Sequence, residues 1–214
     1  MIVLHYFPGN ASMTPHLLLR ELGVPFELAL VDRRQEAQKS PAYLKLNPNG
    51  LIPVLQDGPL VLYETAAIVL YLVERHPDAG LAPPAGTPER AEFSKWLIWM
   101  SSSVQPMMTH YFYSDRMVAP GNTAGAAEVK AQAEARIAAL LDQVEQRLAI
   151  GGPWLLGEHF SALDPYTFMF CRWTRGMQRP ARSLPALGAF TQRMLERPAT
   201  LAVLAAERLA PPFV

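Results

Sequence analysis

Between His76 and Pro88 the chain gathers Pro77, Gly80, Pro83, Pro84, Gly86 and Pro88, and the hydrophobic pattern changes period across that stretch. Proline lacks an N–H and glycine lacks a side chain, so both interrupt helices and strands. The stretch reads as a connection, with residues 1–78 as one domain, 79–87 as a linker and 88–214 as a second domain. Ahead of it strand and helix patterns alternate; behind it only the helical period survives. Such a chain is restricted to a mixed α/β unit followed by an all-α one.

The first unit opens with an apolar strand, Ile2 to Phe7. A helix follows, capped by Ser12 or Thr14, carrying Leu17, Leu18, Leu19 and Leu22 and stopping at Gly23; Phe26 to Val31 resumes as strand. That crossover implies parallel pairing. Val54 to Gln56 and Leu60 to Leu62 flank Asp57-Gly58-Pro59, a hairpin signal, and a helix from Glu64 to Arg75 closes the unit. This order of elements predicts a thioredoxin-like fold.

In the second unit Thr87 is placed to cap a helix whose first turn holds Pro88. Alanine and leucine at helical spacing predict helices over Glu89 to Tyr113, Ala124 to Leu148, Ala162 to Arg175, Leu184 to Glu196 and Leu201 to Glu207. Ser161 with Asp164 three residues on resembles a capping box, which makes Asp164 a structural acid rather than a catalytic one. Pro165 just behind it predicts a distorted helix start.

The 19 basic residues balance 19 acidic ones and half the chain is hydrophobic, so no charge field calls for nucleic acid or an anionic membrane. Glu64 and Glu74 break the apolar stretch around Ile68, which is too short to span a bilayer. Met1 runs straight into the first strand with no leader pattern, so a cytoplasmic protein is expected. The single Cys171 excludes an intramolecular disulfide and reads as a buried helical thiol; no cluster has metal-ligand spacing.

Function is signalled between Asn47 and Tyr71. Asn47-Pro48-Asn49-Gly50-Leu51-Ile52-Pro53-Val54 leads into a strand beginning at a proline, which leaves a backbone edge open. Glu64-Thr65 then stands at a helix start, where free N–H groups and the dipole attract a carboxylate and a buried Glu attracts an ammonium. These segments resemble the glutathione-binding half of the glutathione S-transferase family, and the resemblance extends over nearly the whole chain. It implies a thioredoxin-like domain with a C-terminal helical bundle of the kind found in that family. It implies glutathione as co-substrate, paired through the backbone of Ile52 before a cis Pro53 and held at its γ-glutamyl end by Glu64 and Thr65. Lys39 and Asn49 are candidates for its glycyl end or cysteinyl backbone, or else solvated loop residues.

Conjugation requires the thiolate, and a free thiol has a pKa of about 8.5. The donor that favours the anion is sought in the loop Tyr6-Phe7-Pro8-Gly9-Asn10-Ala11-Ser12-Met13-Thr14-Pro15-His16. Ser12 is the first candidate, because it matches the serine of the Cys-Ser pair in bacterial beta-class members; Ala11 replaces the cysteine and rules out a mixed disulfide there. Asn10 is the second, and Tyr6, at the strand end, is either a third or a packing aromatic. Ser12 as a mere helix cap is the competing reading. Gln105, Met108, Tyr111, Phe112 and Trp173 are candidates for an apolar electrophile pocket between the domains, or for core. Gln105 falls near the position of a beta-class histidine.

The expected activity is conjugation of the glutathione thiolate to a small hydrophobic electrophile, without a metal, by a homodimer. A glutathione-dependent isomerase, peroxidase or disulfide reductase, or a non-catalytic glutathione-binding regulator, would use the same binding half.

Overall fold

The computed structural model describes residues 1–214. β1 (Ile2–Tyr6), α1 (Met13–Leu22) and β2 (Phe26–Leu30) form the crossover unit, with β1 and β2 parallel and Leu4 opposite Leu28. Gly23 stops α1 in the left-handed conformation, φ +64°, which an L side chain rarely adopts. After the short α2 (Pro41–Leu44), β3 (Val54–Asp57) runs antiparallel to β1 and β4 (Leu60–Tyr63) antiparallel to β3. The sheet order is β2-β1-β3-β4, and α3 (Thr65–Arg75) begins just beyond Glu64. This is the thioredoxin-like arrangement that the order of elements predicts.

The rest is helical: α4 (Pro88–Trp99), α5 (Gln105–Phe112), α6 (Thr123–Gly151), α7 (Leu163–Trp173), α8 (Pro185–Glu196) and α9 (Pro198–Ala206). The single helix expected from Glu89 to Tyr113 is broken into two by a π-helical turn, Met100–Val104. Pro106 explains it. Its missing N–H and its ring disrupt the ladder one turn back, and the Gln105 N–H reaches Met100 instead. The last helix starts at Pro198, earlier than the expected Leu201, because proline is accepted in a first turn.

Two expectations about helix starts are corrected. Ser12 occupies the position before α1 but makes no capping bond, and Thr14 lies inside the helix with its hydroxyl on the Met169 sulfur. Pro165 does not distort α7; it is the third residue, where an N–H has no intrahelical partner to lose. The capping box forms only in its acid half: the Asp164 N–H goes to the Ser161 carbonyl and the Ser161 hydroxyl accepts from the Leu163 N–H. The Ser161 N–H donates to Asp164 Oδ2 at 2.7 Å and the Leu155 N–H to Oδ1 at 2.9 Å. Burial pushes the Asp164 carboxyl up to about 6 although these bonds favour the anion.

One continuous core joins the halves: Leu4, Leu17, Leu18, Ile68 and Leu72 meet Phe93, Leu140, Tyr166 and Phe168. α1 lies at the centre, packed on α3 from its own domain and on α7 and α9 from the other. Met13 to Leu19 are all buried as a result, each large apolar side chain contributing about 1.5–3 kcal/mol. Arg197 also grips Glu21 with two 2.7 Å bonds. The loop entering α1 is thus fixed at the seam between the halves. No helix is long and apolar enough to cross a membrane.

Candidate functional site

The Ile52–Pro53 bond is cis, and no group in the chain bonds to the Ile52 N–H or C=O. The carbonyl before it is held firmly: Leu51 O accepts from the Tyr43 hydroxyl at 2.8 Å and from Asn47 Nδ2 at 2.9 Å. An unused donor and acceptor on one residue match the two backbone groups of an extended peptide. The buried Asn47 was not singled out from the sequence; its place in Asn-Pro-Asn-Gly is the signal that could have found it.

α3 supplies the second half of this edge. Its first internal bond runs from the Ile68 N–H to the Glu64 carbonyl, leaving the N–H groups of Thr65, Ala66 and Ala67 free. The Thr65 hydroxyl is buried without a partner. Glu64 is not buried as expected but exposed, with φ +73° and ψ 117°, a costly conformation for a residue with a side chain. Its carboxylate makes no capping bond and no ion pair within the chain, so it is left unpartnered at the residue that precedes the free N–H groups. The constellation offers donors for a carboxylate and an acid for an ammonium within one turn.

Lys39 and Asn49 stand on the exposed loops leading to this edge. Lys39 is drawn to Glu36, whose carboxyl it holds below the usual range. Asn49 donates its backbone N–H to Asn47 at 3.0 Å, and its side chain makes no bond within the chain.

The first loop is organised differently. Ser12 is fully buried, its Oγ accepting from the Phe7 N–H at 3.3 Å and donating to the Phe7 carbonyl at 3.2 Å. Asn10 is half-buried; its Oδ1 accepts from the Ala11 N–H at 2.8 Å, while its amide NH₂ donates to nothing in the chain. Tyr6 sets its ring edge-on to His16, with centroids 6.2 Å apart. Gly9 is held from both sides by the helical half: its N–H donates to Glu207 Oε2 at 2.7 Å, and its C=O accepts from Trp173 Nε1 at 2.9 Å. The other Glu207 oxygen takes the buried His16 Nδ1 at 2.8 Å. Sequence reasoning missed Glu207 because it sits at a helix end among exposed residues, 198 positions from Gly9.

The expected pocket residues divide. Phe112 is 47% exposed and meets the edge of Trp173 at 6.2 Å, so these two form an apolar wall beside Gly9. Tyr111 stacks edge-on against Phe112, with the Lys130 ammonium 4.9 Å from its ring. Met108 is fully buried core and lines no surface, because it lies on the α5 face turned into the bundle. Gln105 is occupied internally by the Tyr166 hydroxyl, a donor that burial keeps protonated. An open recess of about 580 Å³ between α5 and α6, lined by Met107, His110 and Arg136, includes none of the expected residues.

No metal-binding cluster forms. The lone Cys171 is buried and its thiol is pushed up by burial, so it supplies no nucleophile.

This geometry can be set beside known proteins. Residues 11–75 match the family model for the glutathione S-transferase N-terminal domain, and residues 127–205 match that for the C-terminal domain. The chain is 32% identical to glutathione S-transferase GST-4.5 of Xanthomonas campestris, covering 94% of this chain and 97% of that one. It is 33% identical to the disulfide-bond oxidoreductase YfcG of Escherichia coli K12, covering 94% and 93%. Among solved structures, a glutathione transferase homologue from Sulfitobacter with bound glutathione superposes with a TM-score of 0.89 at 29% identity, over 98% and 99% of the two chains.

Proposed function

The chain belongs to the glutathione S-transferase family, and from that premise we propose that it binds glutathione and transfers its thiolate to a small hydrophobic electrophile. One observation carries the reading. The unused N–H and C=O of Ile52 stand beside the free first turn of α3, the unpartnered Thr65 hydroxyl and the Glu64 carboxylate. An extended tripeptide with a zwitterionic head satisfies all of them at once.

In this reading Ile52 pairs with the cysteinyl backbone, the α3 N-terminus takes the γ-glutamyl carboxylate and Glu64 takes its ammonium. Asn49 is free to meet the glycyl end, and Lys39 does so only by leaving Glu36. For the thiol we place Asn10 ahead of Ser12. The Asn10 amide has a free donor on the accessible side of the loop, whereas the Ser12 hydroxyl is enclosed and committed to Phe7. A neutral amide donor lowers a thiol pKa by favouring the anion. The electrophile then meets Phe112, Trp173 and Tyr111.

Titration calorimetry with glutathione, followed by turnover of an aryl halide, tests this function. Heat of association with chloride release supports it; no association at millimolar glutathione refutes it.

The similarity to a disulfide-bond oxidoreductase favours a second reading. With Ala11 in the loop and Cys171 buried, the chain has no accessible thiol. Reduction of a glutathione mixed disulfide must therefore use bound glutathione as nucleophile, giving oxidised glutathione and the released thiol. A mixed-disulfide assay separates the two activities.

We also propose a homodimer in the cytoplasm. Exposed Ile98 on α4 and Leu60 and Val61 on β4 leave apolar surface for a second copy, and the lack of a disulfide suits a reducing compartment. Light scattering that returns a monomer overturns the dimer.

A further inference from the structure

Arg33 follows β2 and lies across the cleft from the end of α5. Its Nη2 donates to the Tyr113 hydroxyl at 2.6 Å, and its guanidinium carbon stands 5.6 Å from the Tyr113 ring centroid and 6.0 Å from that of Phe7. Phe7 packs on the cluster that contains Ile52, so Phe7 links this cation to the peptide edge. Arg116 covers the Tyr113 ring at 4.4 Å.

Neither arginine is in an ion pair. Among the neighbouring acids, Asp32 accepts the Arg34 N–H, Glu36 bonds Lys39 and is only weakly drawn to Arg116, and Asp115 makes no ion pair with either guanidinium. A simple tether between domains needs one donor. A guanidinium has five, and aromatic contacts fix its plane while leaving its edge free for an anion. A guanidinium is more weakly hydrated than an ammonium, so pairing with a carboxylate costs it less desolvation than it costs a lysine.

Resting on the glutathione-transfer reading above, we propose that Arg33, supported by Arg116, selects aromatic electrophiles that carry a carboxylate or similar anionic group. The wall of Phe112 and Trp173 receives the ring while Arg33, held by the Tyr113 that Arg116 covers, receives the charge. The glycyl carboxylate of glutathione shares this chemistry. The electrophile is favoured because Arg33 is bonded to the helical wall, which carries none of the peptide-binding groups. In the reaction the thiolate bonds to the ring carbon bearing chlorine, the carbon–chlorine bond breaks, and chloride leaves with the electron pair.

The experiment compares kcat/KM for 4-chloro-3,5-dinitrobenzoate and 1-chloro-2,4-dinitrobenzene in the full-length protein and in Arg33→Gln, Arg33→Lys and Arg116→Met. We expect the anionic-to-neutral ratio to fall at least tenfold in Arg33→Gln, mostly through KM, to be partly kept in Arg33→Lys, and to fall about threefold in Arg116→Met. Equal losses for both electrophiles mean a structural tether and overturn the inference. So does a raised KM for glutathione with an unchanged ratio, which assigns Arg33 to the glycyl end. Calorimetry with the two conjugates, the 4-carboxy-2,6-dinitrophenyl and 2,4-dinitrophenyl thioethers of glutathione, needs no turnover; equal affinities in the unmutated protein also overturn it. If glutathione itself fails to bind, the reading beneath falls; if it binds without anionic preference, only this inference does.

Discussion

At Ile52 and the first turn of α3, backbone groups stand without partners; at Gly9, on the adjacent loop, both backbone groups are taken by side chains from the helical half. The first region is built to receive hydrogen bonds, the second to be held still. Binding of the tripeptide and placement of its sulfur are therefore separable. A substitution at the open edge removes affinity and leaves the fold intact, whereas one at the held loop weakens the fold before it touches affinity.

The largest expected effect lies at the held loop. Glu207→Ala strips the Gly9 N–H and the buried His16 Nδ1 of their acceptor, and His16 Nε2 already has none. Removing a carboxylate from buried donors costs about 3–4 kcal/mol. At roughly 2–4 °C per kcal/mol for a chain of this size, Tm falls by about 6–16 °C in calorimetry. Unchanged melting would mean that Gly9 is not held by this contact.

The next effect, at the open edge, has the opposite character. Glu64→Gly removes the acid proposed for the ammonium and relaxes a residue with φ +73°. Charge-assisted bonds contribute about 1.5–3 kcal/mol, so glutathione affinity falls roughly 10- to 100-fold. The same change relieves strain of about 1 kcal/mol, and Tm holds or rises slightly. A protein that loses affinity and stability together would erase the contrast between the two regions.

The thiol itself discriminates within the loop. Asn10→Ala removes the one free donor near the sulfur and is expected to raise the pKa of bound glutathione by about one unit, roughly 1.4 kcal/mol, read from thiolate absorbance. Ser12→Ala loses the Phe7 bonds, costs about 1 kcal/mol of stability and leaves that pKa in place. The reverse outcome reinstates Ser12.

What could be read from the sequence follows the range of the interaction. The element order and the Glu64 helix start rest on local chemistry, and each stands in the structure at or within a residue of its expected place; the cis Ile52-Pro53 bond is implied by the family resemblance alone. Met108 and Gln105 stay open between pocket and core because a helical stripe shows which residues share a face, not which face meets a partner. Met108 went into the core, and Gln105 went to Tyr166, 61 positions away. The π-helical turn was legible in principle from Pro106. The contacts Gly9–Glu207 and Arg33–Tyr113 join residues 198 and 80 positions apart, and no local pattern specifies such pairs.

The smallest effect tests how the loop is held. Trp173→Phe keeps most of the apolar wall against Phe112 but removes the 2.9 Å bond from Nε1 to the Gly9 carbonyl. That carbonyl lies on a half-buried residue and can find water, so the loss is about 1 kcal/mol, or roughly 2–4 °C in Tm. Glu207 still fixes the Gly9 N–H, and the Asn10 side chain is oriented by its own bond to the Ala11 N–H. The bound thiol should therefore shift by about 0.3 pKa units at most, well below the shift of about one unit expected of Asn10→Ala. A shift as large as that of Asn10→Ala would place the indole, not the amide, in control of the sulfur, and would make the held loop part of the binding surface.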